Sequence, residues 1–191
     1  MASIIQNFTE EEMDKLRATD LEDIKIEDIK LQINKRTKER IEALLLKNDI
    51  SSNKTLATCL GVKESTASRY LRNCKAFKNK TLRNIAERFD VSYNYLKYGI
   101  NEPIKNSVIS TNIKEILSSN EKNLLNNKTR VQDICTSQDL IHKLQYCGCN
   151  VSATFYSLCI NGKKEFPQYC LVYIARLLKT SYNELLVEKK N

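Results

Sequence analysis

The chain has 191 residues, 41% hydrophobic and 28% charged, with only four glycines and two prolines. That length suits one ordinary domain or two small ones, and the composition is that of a folded protein with little strand-like alternation, so an all-α fold is expected. The formal charge of +8 is unevenly placed: residues 1–33 hold nine acids and four bases, net −5, and residues 34–99 hold fifteen bases and six acids, net +9.

A basic segment beside an acidic arm points to a polyanion as partner of the basic part. The longest apolar runs, such as CLVYIA over 170–175, are too short to span a bilayer, so no membrane association is expected. The start, MASIIQNFTEEEMDK, is acidic where a secretory signal would be basic and apolar. Seven cysteines without such a signal read as reduced thiols, and the protein is expected to be cytoplasmic.

The acidic arm, residues 1–33, opens with a short helix that Thr9 can cap, with Glu12 completing a capping box. Leu21, Ile24, Ile26, Ile29, Leu31 and Ile33 then form a row of apolar anchors that can pack on the next domain or on a partner chain. A helix is expected through KRTKERIEALLLKND, where Ile41, Leu44 and Leu45 make one apolar stripe. Ser52 suits the N-cap of the next helix, NKTLATCL, and Gly61 suits its left-handed end. A third helix follows in KESTASRYLRN. A fourth, NKTLRNIAERF, has Asn79 as candidate cap, and a short fifth, SYNYLKYG, lies between Ser92 and Gly99. Residues 101–127, rich in Asn and Ser, read as a linker with one weak helix near 112–124.

The last third of the chain repeats the first helical unit. At a shift of 89 residues Phe77 falls on Phe166, Leu82 on Leu171, Ile85 on Ile174 and Ala86 on Ala175. Ser92-Tyr93-Asn94 falls on Ser181-Tyr182-Asn183, Val62 on Val151 and Ser68 on Ser157. The matches lie at apolar-face and capping positions, which a shared fold keeps. Between Ser137 and Val151 the second copy is four residues longer than between Ser52 and Val62, which predicts a longer helix or a looser turn there.

Two helices crossing steeply need a small residue in the first, a glycine in the turn and apolar residues inside the second. Ala57, Gly61, Val62, Ala67 and Tyr70 meet this spacing, with Leu56 and Leu60 filling the core. On these residues the segment resembles the lambda-repressor-like (Cro/repressor, XRE) family of helix-turn-helix DNA-binding domains. The resemblance extends to the closing TLRNIAERFDVSYNYLKYG, although Ala67 is smaller and Tyr70 bulkier than is usual there. It implies two tandem five-helix helix-turn-helix units, at 34–100 and, in degenerate form, at 128–191.

The resemblance also implies a docking mode in which the third helix enters the major groove and the second bridges to the backbone. Glu64, Ser65 and Arg69 would face base edges, with Ser68 nearby: Arg69 suits a guanine and Glu64 a cytosine amine. Asn53 and Lys54 at the start of the second helix, and Arg72, Lys75, Lys78 and Lys80 in and after the loop, would meet phosphates. A solvated basic face, and for Glu64 a charge at a helix N-terminus, are the alternatives to these roles. The equivalent helix of the second copy, in VSATFYSLCING, has no charge; Phe155 and Tyr156 stand for Thr66 and Ala67, and Lys163 and Lys164 follow.

Five cysteines and the lone His142 crowd the C-terminal unit, yet no paired CxxC is present and no zinc site is expected. Neither a catalytic constellation nor a phosphate-binding glycine loop is visible, so no enzyme and no cofactor are expected. The expected function is a sequence-specific double-stranded-DNA-binding transcriptional regulator, a repressor of the kind the family implies for phages, plasmids or mobile elements. Specificity would require a homodimer or the tandem pair. The rival is a partner-binding or dimerisation module on the same fold, using residues 128–191 or the acidic arm.

Overall fold

The computed structural model describes residues 6–72, 77–100, 105–125 and 134–188, with Cys59, Tyr70 and Leu71 described in backbone only. The described residues form eleven α-helices and one 3-10 turn, with no strand among them. The chain divides into two compact units, one of residues 1–7 and 27–103, the other of residues 8–26 and 104–191. The second unit is therefore discontinuous in sequence.

The first unit is built on helices α2 (Ile26–Lys47), α3 (Asn53–Leu60), α4 (Glu64–Arg72), α5 (Asn79–Arg88) and α6 (Tyr93–Tyr98). Ile29, Ile33, Thr37, Arg40, Ile41, Leu44 and Leu45 form the buried stripe of α2, with the three-and-four spacing of one helix face. Ile41, Leu44 and Leu45 join Leu56, Ala57 and Leu60 of α3, Ala67 of α4, Leu82, Ile85 and Ala86 of α5 and Leu96 of α6 in one core. Burying such side chains stabilises a fold by about 1.5–3 kcal/mol each. Arg40 is fully buried in this apolar setting, and its guanidinium donates to the Leu96 carbonyl at 2.9 and 3.1 Å and to Asn7 Oδ1 at 2.7 Å. The Leu96 carbonyl lies near the C-terminal end of α6, where the helix dipole is negative and favours a cation.

In the second unit, α1 (Glu10–Ala18) and a 3-10 turn (Leu21–Asp23) join α7 (Asn106–Leu125), α8 (Ser137–Tyr146), α9 (Ala153–Ile160), α10 (Gln168–Leu177) and α11 (Tyr182–Leu186). Thr9 and Glu12 make the expected capping box at α1. Met13 and Phe8 are buried, and the Phe8 ring meets that of Tyr182 with centroids 5.9 Å apart. Asn112 of α7 donates to the carbonyls of Glu184, Leu185 and Val187 at 3.0–3.1 Å. It closes the end of α11 much as Arg40 closes that of α6.

The repeat is in register. Helices start at 64, 79 and 93 in the first unit and at 153, 168 and 182 in the second, each pair 89 apart. Asp90 and Lys179, also 89 apart, both take positive φ, at 49° and 55°. The residue after each bonds back to an alanine carbonyl: Val91 to Ala86 at 2.9 Å, and Thr180 to Ala175 at 3.0 Å. The extra length before Val151 is shared between a longer helix and a longer turn. Helix α8 has ten residues against eight in α3, and six residues separate α8 from α9 where three separate α3 from α4.

Three expectations differ from what is observed. The boundary drawn at 33/34 falls inside α2, because the apolar stripe from Ile29 to Leu45 continues unbroken through it. The stretch read as a linker over 101–127 with one weak helix near 112–124 holds α7, a 20-residue helix that begins at Asn106 and whose Ile109, Ile113 and Leu117 recur every four residues on a buried face. Asn79 is not the cap of α5 but its first residue; Lys78 holds the cap position and makes no side-chain cap hydrogen bond.

Candidate nucleic-acid interface

Helices α3 and α4 are neighbours, joined by the three residues Gly61, Val62 and Lys63. Ser52 caps α3 by accepting from the Thr55 amide at 3.0 Å. Gly61 ends it with φ 61° and ψ 34°, a left-handed conformation that glycine adopts without steric cost. The Val62 amide then bonds to the Ala57 carbonyl at 3.0 Å, which turns the chain sharply towards α4. Ala57 is buried at this closure, and Ala67, fully buried, faces the core from α4.

Fixing Ala67 inward fixes what α4 shows outward. Residues 64, 65, 68, 69 and 72 fall within an arc of about 140° centred roughly 130° around from Ala67, at 100° per residue, with Ser65, Arg69 and Arg72 most nearly opposite it. Glu64, Ser65, Arg69 and Arg72 are exposed and Ser68 is half-buried. The face is thus a short polar strip, acidic at its N-terminal end and basic at its C-terminal end.

The expected phosphate contacts are spread over three elements. Lys54 is exposed and Asn53 half-buried in the first turn of α3. Lys78 and Lys80 are exposed at the start of α5, which also packs on α3. Lys75 lies outside the described residues, as does the side chain of Tyr70. Lys63, exposed in the turn before α4, is one further cation that the sequence reading left out. Its signal was its place between the turn glycine and the helix start.

The corresponding surface of the second unit has different chemistry. Ser152, the counterpart of Lys63, caps α9 by accepting from the Phe155 amide at 3.1 Å. Tyr156 takes the core position of Ala67, with its ring edge-on to Phe166 at 5.8 Å. The exposed residues of α9 are Ala153, Thr154 and Ser157, and Phe155 and Leu158 are half-buried. Lys164, just beyond, lies over the Phe155 ring at 5.7 Å.

Among the described residues no three His, Cys, Asp or Glu side chains are grouped to hold a metal, and no helix is long and apolar enough to cross a membrane. Cys135, Cys147, Cys149, Cys159 and Cys170 form no disulfide among the described residues. Burial pushes the thiols of Cys147 and Cys159 up to about 11.

The chain matches no protein-family model, no curated protein and no solved structure.

Proposed function

We propose that the protein is a sequence-specific double-stranded-DNA-binding regulator of transcription, with α3 and α4 as a helix-turn-helix and α4 as the reading helix. The observation that carries this reading is the polar strip of α4, turned to solvent by the burial of Ala67 and flanked by exposed cations on α3 and α5. Arg69 has the reach and fork geometry for guanine O6 and N7, and Glu64 accepts from a cytosine amine. Lys54, Lys78, Lys80 and Arg72 neutralise phosphates and set the register without reading sequence. Repression follows from occupying a promoter and needs no catalysis. One such helix reads only a few base pairs, so the active form is a homodimer or uses both units. A cytoplasmic location goes with this role.

A second reading is favoured by one observation, the uncharged exposed face of α9. On that reading the second unit serves protein contact or dimerisation, and α4 is scaffold.

Fluorescence anisotropy on pooled duplexes at two salt concentrations, beside an Arg69→Ala/Arg72→Ala variant, separates the two. The DNA reading expects binding that prefers one sequence, weakens steeply with salt and is lost in the variant. Weak, sequence-indifferent binding unchanged in the variant would leave the partner-binding reading standing.

A further inference from the structure

The register of the repeat allows the outer faces of α5 and α10 to be compared residue by residue. In the second unit the outer face of α10 is covered by the segment 8–26. Tyr173 donates its hydroxyl to the Ile24 carbonyl at 2.9 Å. Arg176 donates from Nε to the Leu16 carbonyl at 2.6 Å and from Nη2 to the Thr19 carbonyl. Those acceptors belong to the last turn of α1 and the residues after it, whose carbonyls have no partner within the helix. Val172, on the same helix, is buried.

Subtracting 89 places Asn84 at the position of Tyr173, Glu87 at that of Arg176, Arg88 at that of Leu177 and Arg83 at that of Val172. All four are exposed. Asn84, Glu87 and Arg88, with Thr58 and Gly61, line a cleft of about 520 Å³ on the first unit. The cleft thus lies where the second unit receives its N-terminal segment. Among the described residues no segment covers this seat on the first unit.

We propose that this face of α5 is a docking site for an acidic helical segment of a partner protein, bound as residues 8–26 are bound on α10. Charge selects the occupant. Exposed Arg83 and Arg88 outweigh Glu87 on this face of α5. The segment that occupies the equivalent seat, residues 8–26, holds seven acids and three bases, net −4. Asn84 stands where Tyr173 donates on α10; Glu87 stands where Arg176 does, and the charged donor is Arg88, one residue further on. Helix C-terminal carbonyls and a nearby carboxylate satisfy them, and charge-assisted bonds of this kind are about twice as strong as neutral ones. The site is separate from the α4 strip and does not rest on the DNA reading.

A fluorescein-labelled peptide of residues 8–25, titrated with the full chain, tests this. Saturable binding is expected, absent for a scrambled peptide, weakened at least tenfold by Arg88→Glu, tightened by Glu87→Lys and unchanged by Arg69→Ala. Both charge variants alter exposed side chains, and a thermal melt checks that they fold. Three results would overturn the proposal. One is no binding. Another is binding indifferent to both charge changes, which would place the peptide on the second unit instead. The third is a loss of duplex-DNA affinity in Arg88→Glu as large as in Arg69→Ala, which would make the face part of a DNA-backbone surface.

Discussion

The guanidinium of Arg40 donates to the Leu96 carbonyl in the first unit, and Asn112 donates to the Leu185 carbonyl in the second. The two acceptors stand 89 residues apart, so one device closes both units: a buried polar side chain on the long first helix that satisfies the end of the last short one. The donors differ in chemistry, a cation in one unit and a neutral amide in the other.

Replacing Arg40 tests that device. Arg40→Met keeps much of the volume but leaves the Leu96 carbonyl and Asn7 Oδ1 without this donor. Each orphaned buried acceptor costs about 1–3 kcal/mol, so urea denaturation should show a loss of about 3 kcal/mol. A loss below 1 kcal/mol would mean that water reaches these groups easily. Asn112→Leu should act likewise on the second unit.

The left-handed positions respond oppositely to glycine. At Gly61 an added Cβ meets nothing within 4 Å, so Gly61→Ala tests backbone strain alone. It should destabilise by about 1 kcal/mol, since an L residue resists positive φ. Lys179, at φ 55°, already bears that strain. Lys179→Gly should stabilise by roughly 0.5 kcal/mol after the added freedom of the unfolded chain is counted, read as a small rise in melting temperature.

On DNA, the two classes of cation should separate. Lys54→Ala should weaken binding to all duplexes alike and lower the salt slope by about 1. Arg69→Ala should cost about 1–3 kcal/mol and relax preference at one base pair. If the two variants behave the same on a panel of single-base-pair changes, Arg69 makes backbone contacts only.

The thiols predict a pH dependence. Burial holds Cys147 and Cys159 at about 11 against an ordinary value of 9.0. The fold keeps these protons while the unfolded chain releases them. Their contribution to stability is therefore complete below pH 9 and is lost as the pH rises from there to about 11. Since the thiolate is the nucleophile, iodoacetamide at pH 8 should label both far more slowly in the native protein than in urea. Equal rates would show that the burial is not maintained in solution.

Much of the first unit was legible because its punctuation is local. Ser52, Gly61, Ser92 and Gly99 cap or end helices through contacts within a few residues. The shift of 89 was legible because apolar and capping residues recur without a gap. Helix α7 was legible only in part: a weak helix was expected near 112–124, and its Asn and Ser residues masked the first turns, though Ile109, Ile113 and Leu117 were spaced to reveal them. The docking of segment 8–26 was not legible. Tyr173 and Arg176 reach it across some 150 residues, and no periodicity marks a hydrogen bond to a distant carbonyl. Arg40 was counted with the basic surface, because nothing in its neighbours distinguishes a cation that folds inward.

The discontinuity of the second unit sets an order of events during synthesis. Residues 8–26 leave the ribosome well before Arg176 and Tyr182, which hold them. At about 5–20 residues per second the interval is of order ten seconds or more. The first unit, nearly contiguous, has all its helices early in that interval, once residue 103 has emerged. The acidic segment waits as an unpaired strip, open to chaperones or to a neighbouring nascent chain, until α10 and α11 emerge.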